Sequence, residues 1–230
     1  HFEGNTASGL GGGLYVAESA VSIENCTFSR NFAGRGAGLA LEYCNGATIA
    51  SSSFDGNSAT VFGGGLYVSS CSADIVGCSV TSSYAGNSGG GLFGQSNTAL
   101  TIRQSSFVYN SSEGGGAVAV VNDAVLPVTI QRCVFAYAAG YAGNVRLHNV
   151  ASSVSDSLFA HNADSALALE GGTHTVTQCT IASNNLNGIR ATNAAQVNLY
   201  NSILASNTQP AIGTDGTLKA WNPGADDSAT

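Results

Sequence analysis

The stretch GGGLYV occupies residues 11–16 and recurs, letter for letter, at residues 63–68. Three glycines followed by an alternating apolar run, written twice, are tested first as an internal repeat. A second marker runs through the same chain, a Phe followed three residues later by Asn: FEGN from Phe2, FSRN from Phe28, FDGN from Phe54, FVYN from Phe107 and FAHN from Phe159. Degenerate copies begin at Val80, Phe135, Ile181 and Leu204, so the spacing stays at 22–28 residues and nine marks bound eight full repeats.

Each early mark is followed by a glycine corner and a short apolar run, as in GAGLAL from Gly36 and GGGLF from Gly89, and is preceded by a strand-like run such as VSIENCTF from Val21 or VTIQRCVF from Val128. β-Branched residues at alternate places in those runs point to strands. Leucine-rich repeats share the period, but they need leucines at fixed offsets and usually a helical return segment, whereas these returns are Gly, Ser and Asn, which disfavour helix. The expected fold is all-β: a right-handed, single-stranded parallel β-helix of eight to nine coils over residues 1–207, with 208–230 a terminal partial coil or linker. At ~4.8 Å per coil, eight coils make a rod of roughly 40 Å.

In such a solenoid equivalent residues stand on copies of themselves. Phe2, Phe28, Phe54, Val80, Phe107, Phe135, Phe159, Ile181 and Leu204 should form one interior column of ring and aliphatic contacts. Asn5, Asn31, Asn57, Asn110, Asn162, Asn184 and Asn207 should form a ladder, each amide donating to one neighbour and accepting from another. Asn also suits a left-handed turn position, and the glycines supply positive φ or close approach at the corner.

Composition narrows the function. With 43% apolar residues and a net charge of −7 the chain folds, and its seven Lys and Arg are scattered singly, so no basic stripe exists to neutralise a phosphate backbone. Nucleic acid is not an expected partner. No apolar run approaches the ~18 residues of a membrane-spanning helix, and no charged-then-apolar leader is present. The chain lacks Met and begins one residue before an anchor, so it reads as a segment of a larger protein with open coil ends that invite pairing with further copies.

The cysteines fall in two groups. Cys26, Cys78, Cys133 and Cys179 alternate with Ser52, Ser105, Ser157 and Ser202 two residues before each anchor, and read as buried small fillers: cysteines two coils apart lie roughly 9.6 Å from each other, beyond the ~7 Å reach of a disulfide. Cys44 and Cys71 each follow a glycine-corner run on adjacent coils, which suits a disulfide and, with it, an oxidising compartment. Two exposed free thiols are the alternative.

Catalytic candidates are thin. Glycosidic cleavage needs two carboxylates facing each other across a few ångströms, and a lyase needs an acidic calcium site with a nearby base. Glu3 and Asp55 share a repeat position two coils apart with Ser29 between them, and Asp226 and Asp227 lie near the C-terminus. His1, His148, His161 and His174 fall at different repeat phases, with only His161 and His174 placed to approach each other. No catalytic residue, cofactor or metal ligand set is expected. The residue between the two inward positions of each glycine-corner strand should face solvent: Tyr15, Ala40, Tyr67, Phe93, Ala119, Arg146, Ala168 and Arg190. The aromatics and arginines of this row, Tyr15, Tyr67, Phe93, Arg146 and Arg190, form a candidate binding face for a glycan or protein, against the plainer reading that outward aromatics merely cover a sheet. Of two N-x-[ST] sequons, Asn110 belongs to the interior ladder, which leaves Asn25 as the accessible glycosylation candidate.

The paired FxxN and GG[AG][LIV] motifs, once per coil, resemble the repeats of the chlamydial polymorphic outer membrane proteins and related repeat proteins of bacterial and algal surfaces. The likeness covers most of the chain and weakens after residue 140, where the glycines thin out. It implies secretion to the cell surface and an adhesive or structural role without a catalytic site. The resulting expectation is a non-enzymatic extracellular segment of a large surface protein, even a filament or mastigoneme-like building block, whose partners are copies of itself or cell-surface glycans and proteins. A polysaccharide lyase or hydrolase of the pectate-lyase-like class is the alternative.

Overall fold

The computed structural model describes residues 1–122, 127–210, 212–214 and 217–221. Asp226 and Asp227 lie outside the described residues. The chain winds as a parallel solenoid whose three long sheets each hold nine strands, every strand pairing with its counterpart one coil later. One sheet carries the anchors: Phe2 pairs with Phe28, Phe28 with Phe54 and Val80 with Phe107. A second carries the runs after the glycine corners, such as Leu39–Glu42 and Leu66–Ser69, and a third the runs before each anchor, such as Asn45–Ala50 and Ser72–Val76. Strands Ile212–Thr214 and Thr217–Trp221 extend the last two of these sheets.

The expected columns are present. Phe2, Phe28 and Phe54 stack with ring centroids 4.7 Å apart and planes within 3° of parallel, and Phe107, Phe135 and Phe159 continue at 5.3 and 5.0 Å. The five phenylalanines from Phe28 to Phe159 are wholly buried. Each buried ring contributes about 1.5–3 kcal/mol by removal from water, and Val80 takes the anchor place between Phe54 and Phe107.

The bends between sheets share one local design, in which a residue with positive φ is followed by an inward small or polar side chain. At the bend after the anchors, Asn57 accepts from the backbone N–H of Asn31 at 3.1 Å and from its side-chain amide at 3.0 Å, while its own amide donates to the Phe28 carbonyl at 2.9 Å. Asn31, Asn110, Asn162, Asn184 and Asn207 likewise donate back to the preceding coil, at Phe2, Val80, Phe135, Phe159 and Ile181. Ser83 and Ala138 interrupt the ladder. A bend turns backbone groups away from the neighbouring coil, and the amide supplies the buried bonds that the main chain cannot.

The ladder residues do not themselves take the left-handed conformation expected of them. It falls one residue earlier, at Arg30 (φ 52°), Tyr109 (φ 59°) and His161 (φ 57°), because the reversal must precede the Asn for its amide to point inward. At the glycine corner Gly63 has φ +63°, and a Cβ on Gly65 would sit 2.6 Å from the Gly91 carbonyl oxygen, so that position accepts no side chain.

The Cys/Ser column is as expected. The hydroxyl of Ser52 accepts the Cys26 N–H at 3.1 Å and donates to the Ala50 carbonyl, and the Ser105–Cys78, Ser157–Cys133 and Ser202–Cys179 pairs repeat the 3.1 Å contact. Burial pushes the Cys133 thiol up to about 11, which marks an inert filler.

The disulfide expectation is corrected: all six cysteines are free. Cys44 and Cys71 do sit on adjacent coils, but both are wholly buried at the third bend, in one column with Asn97. The Cys71 sulfur accepts the Cys44 N–H at 3.1 Å and donates to the Ser69 carbonyl, while the Cys44 thiol turns to the Glu42 carbonyl. Both thiols are thus engaged by backbone groups of their own and the neighbouring coil, and no S–S bond joins them. They occupy the place that Asn97 fills one coil later, accepting the Cys71 N–H.

A fourth, shorter sheet joins the anchor bend to the glycine corner in four coils only: Phe32–Arg35, Ser58–Phe62, Tyr84–Ser88 and Ser111–Gly114. On the next coil it is reduced to a single bridge between Ser111 and Ala139.

Candidate functional groove

The row proposed as a binding face keeps its register but not its exposure. Tyr15, Ala40, Tyr67, Phe93, Ala119, Arg146, Ala168 and Arg190 pair in one unbroken column. Yet Tyr67 is 1% exposed and Phe93 4%, because they join Ala40 and Ala119 in a second apolar cluster covered by Leu10, Phe62 and Val121. Phe62, the last residue before the Gly63 turn, lays its ring 4.3 Å from that of Phe93, and the Arg35 guanidinium caps Phe62 and Tyr67 at 5.8 and 5.9 Å. The fourth sheet therefore brings its own side chains over the outer face of its neighbour. Of the aromatics, only Tyr15 stays open, and its hydroxyl donates to Glu42 at 2.9 Å.

Arg146 is held rather than free, and Arg190 stands near the carboxylate that holds it. Arg146 grips Glu170 with two bonds of 3.0 and 2.7 Å, His148 Nδ1 lies 2.9 Å from the same carboxylate, and Arg190 approaches it to 3.9 Å. Burial alone would raise the Glu170 pKa, but hydrogen bonds and charge from Arg146 and His148 more than offset it and hold the carboxyl below its usual value.

His161 and His174 do not meet. The His174 ring is wholly buried, with Nδ1 2.8 Å from the Ser152 hydroxyl and Nε2 2.7 Å from the Gly171 carbonyl, and burial lowers its pKa. His161 stacks outside on Tyr137, which stacks on Tyr109, at 5.2 and 5.0 Å. Glu3 pairs with Arg30, Asp55 accepts from Thr81 at 2.6 Å, and Asp74 takes Arg103 through two bonds. Among the described residues no three His, Cys, Asp or Glu side chains converge as a metal site. Asn25 is exposed at a left-handed bend, and Asn110 is buried with its amide bonded to Ser83 and Val80.

The sequence did not point to the concavity that forms where the fourth sheet runs out. A groove of about 430 Å3 opens beyond Ser111–Gly114, with Tyr84 and Tyr141 on its walls, Ala139, Ala163 and Leu186 supplying apolar surface, and Glu113 and Asp164 as its charged members. Tyr141 is 85% exposed, whereas Asp164 is 5% exposed. The segments that line it directly follow the Tyr109, Tyr137 and His161 stack in sequence. The one available signal was the break in pattern after residue 140, where the three-glycine corner becomes AGYAGN and the fourth sheet loses its strand.

A family model described as a right handed beta helix region matches residues 1–135 and again 116–220. No curated protein and no solved structure matches the chain. The parallel three-sheet winding and the family match agree over nearly the whole length, and the chain belongs to the right-handed β-helix family.

Proposed function

We propose that this chain is a non-enzymatic, extracellular structural and adhesive rod, a segment of a larger cell-surface protein akin to the surface-protein repeats its motifs resemble. The observation that carries the reading is the set of exposed tyrosines on one stretch of the rod, Tyr84 and Tyr141 lining the groove and the Tyr109–Tyr137 stack just before its lining segments in sequence. Elsewhere the polar side chains that could do chemistry, Glu170, Asp74, Asp55 and His174, are bonded from coil to coil. Aromatic side chains with wet polar tips are suited to holding a glycan or a protein surface. Repeating coils fit a rod that displays such a site and joins further segments or copies of itself, with Asn25 open to glycosylation.

The competing reading is a polysaccharide lyase or hydrolase, favoured by the presence of Glu113 and Asp164 in one groove. Incubation with acidic and neutral polysaccharides and with intact cell surfaces separates the two. Retention without new reducing or unsaturated ends is the expected result, and turnover abolished by Asp164→Asn would overturn it.

A further inference from the structure

Asp164 is a charged side chain more than nine-tenths buried, yet it lines an open groove. Its Oδ1 accepts the backbone N–H of Ser165. Among the described residues no Lys, Arg or His nitrogen lies within 4.0 Å of Asp164 or of Glu113. The other buried acid among the described residues, Glu170, has two arginines and a histidine around it. A buried carboxylate without a counter-charge is unfavourable, and a cation brought by a ligand removes that penalty.

We infer that the groove takes a lysine side chain presented by a basic segment of a partner protein. The ammonium reaches the Asp164 carboxylate with Glu113 at the rim, the methylene stem lies along Ala139, Ala163 and Leu186, and the rings of Tyr84 and Tyr141 add cation–π attraction. Charge complementarity selects this occupant: the charged groups of the lining are both acidic, and the chain as a whole carries −7. A neutral sugar would use the tyrosines and leave Asp164 uncompensated. The proposal rests on the adhesive reading and names the chemistry of its partner.

The test is calorimetric titration of the whole chain with an extended lysine-rich peptide and with the same peptide Nε-acetylated, at low and high salt. Binding should be lost on acetylation, weaken with salt and fall at least ~10-fold in Asp164→Asn, with a smaller loss in Glu113→Gln. Glu24→Gln, on an exposed position outside the groove, should bind as the parent does. Asn at 164 keeps the oxygen that accepts the Ser165 N–H, and an unchanged far-UV spectrum with a maintained or raised melting temperature confirms that the fold is intact. Acetylation-insensitive binding, equal affinity in Asp164→Asn, or no binding at low salt would each overturn the site. A chain that adheres to cell surfaces while ignoring the peptide removes this site and keeps the adhesive reading. One that binds the peptide but no surface does the reverse.

Discussion

Replacing Asn57 by Ala removes a rung of the ladder at a fully buried position and should be among the most damaging single changes in the chain. Three hydrogen bonds end on this amide: from the Asn31 N–H at 3.1 Å, from the Asn31 side chain at 3.0 Å, and to the Phe28 carbonyl at 2.9 Å. The Asn31 N–H loses its acceptor at a buried position, which costs about 1–3 kcal/mol, and the two other bonds add about 1 kcal/mol each. The total of roughly 3–5 kcal/mol is a large share of the ~5–15 kcal/mol that holds a typical domain together. Urea unfolding followed by far-UV circular dichroism should show that drop in stability, and amide exchange should lose protection first in the coils flanking Asn57, because a solenoid can open locally. Glu24→Ala, at an exposed position outside the left-handed bends, should stay within about 0.5 kcal/mol of the parent. The converse change, Ala138→Asn, restores a missing rung and should stabilise by about 1 kcal/mol. A loss below about 1 kcal/mol for Asn57→Ala would refute the claim that the ladder closes the bends.

Three further outcomes follow from the same geometry. Tyr43 is exposed at φ 55°, and Tyr43→Gly should raise stability by about 0.5–1 kcal/mol in urea titration, since relief of left-handed strain exceeds the entropy that glycine adds to the unfolded chain. The five buried thiols should resist alkylation in the folded chain, with the Cys71 and Cys133 thiols pushed up to about 11 by burial, and unfolding without reductant should expose six alkylatable sulfurs; four would restore the Cys44–Cys71 bond. Acid should destabilise in two stages. The pKa of His174 is depressed below 6.5 by burial, so the unfolded chain takes up its proton first, and this stabilising contribution is complete above 6.5 and lost as the pH falls from there towards the folded value. Glu170, held below 4.5 once Arg146 and His148 have offset its burial, contributes fully above 4.5 and loses that contribution at lower pH. Stability unchanged between pH 7.5 and 5 would contradict the His174 assignment.

What could be read from the sequence is what repeats. The Phe, Asn and Cys/Ser columns were legible because side chains stacked at one spacing must be alike, and Phe28, Asn57 and Ser105 carry that demand in their identity. The row from Tyr15 to Arg190 was legible in register, since alternation fixes which side of a strand a residue occupies. Its burial was not, because nothing in the letters TVFGGG shows that Phe62 folds back over Phe93. The left-handed bend residues were hidden for a related reason: Arg30 and Tyr109 are not residue types that favour positive φ, and the neighbouring Asn ladder imposes it on them. Cys44 and Cys71 were placed correctly on adjacent coils, but which way each sulfur turns depends on backbone acceptors that spacing does not reveal. The groove arises where the pattern fails, so a search for pattern passes over it.

Residues one period apart lie in vertical register, and the Phe28–Phe54 contact tests this most directly. With selectively labelled phenylalanine, nuclear Overhauser contacts between the two rings should report the stacked pair at a centroid separation of 4.7 Å. Ring contacts from Phe28 to Phe2 and Phe54 alone among the anchors would agree with the winding described, whereas absence of the Phe28–Phe54 contact in the folded chain would contradict it.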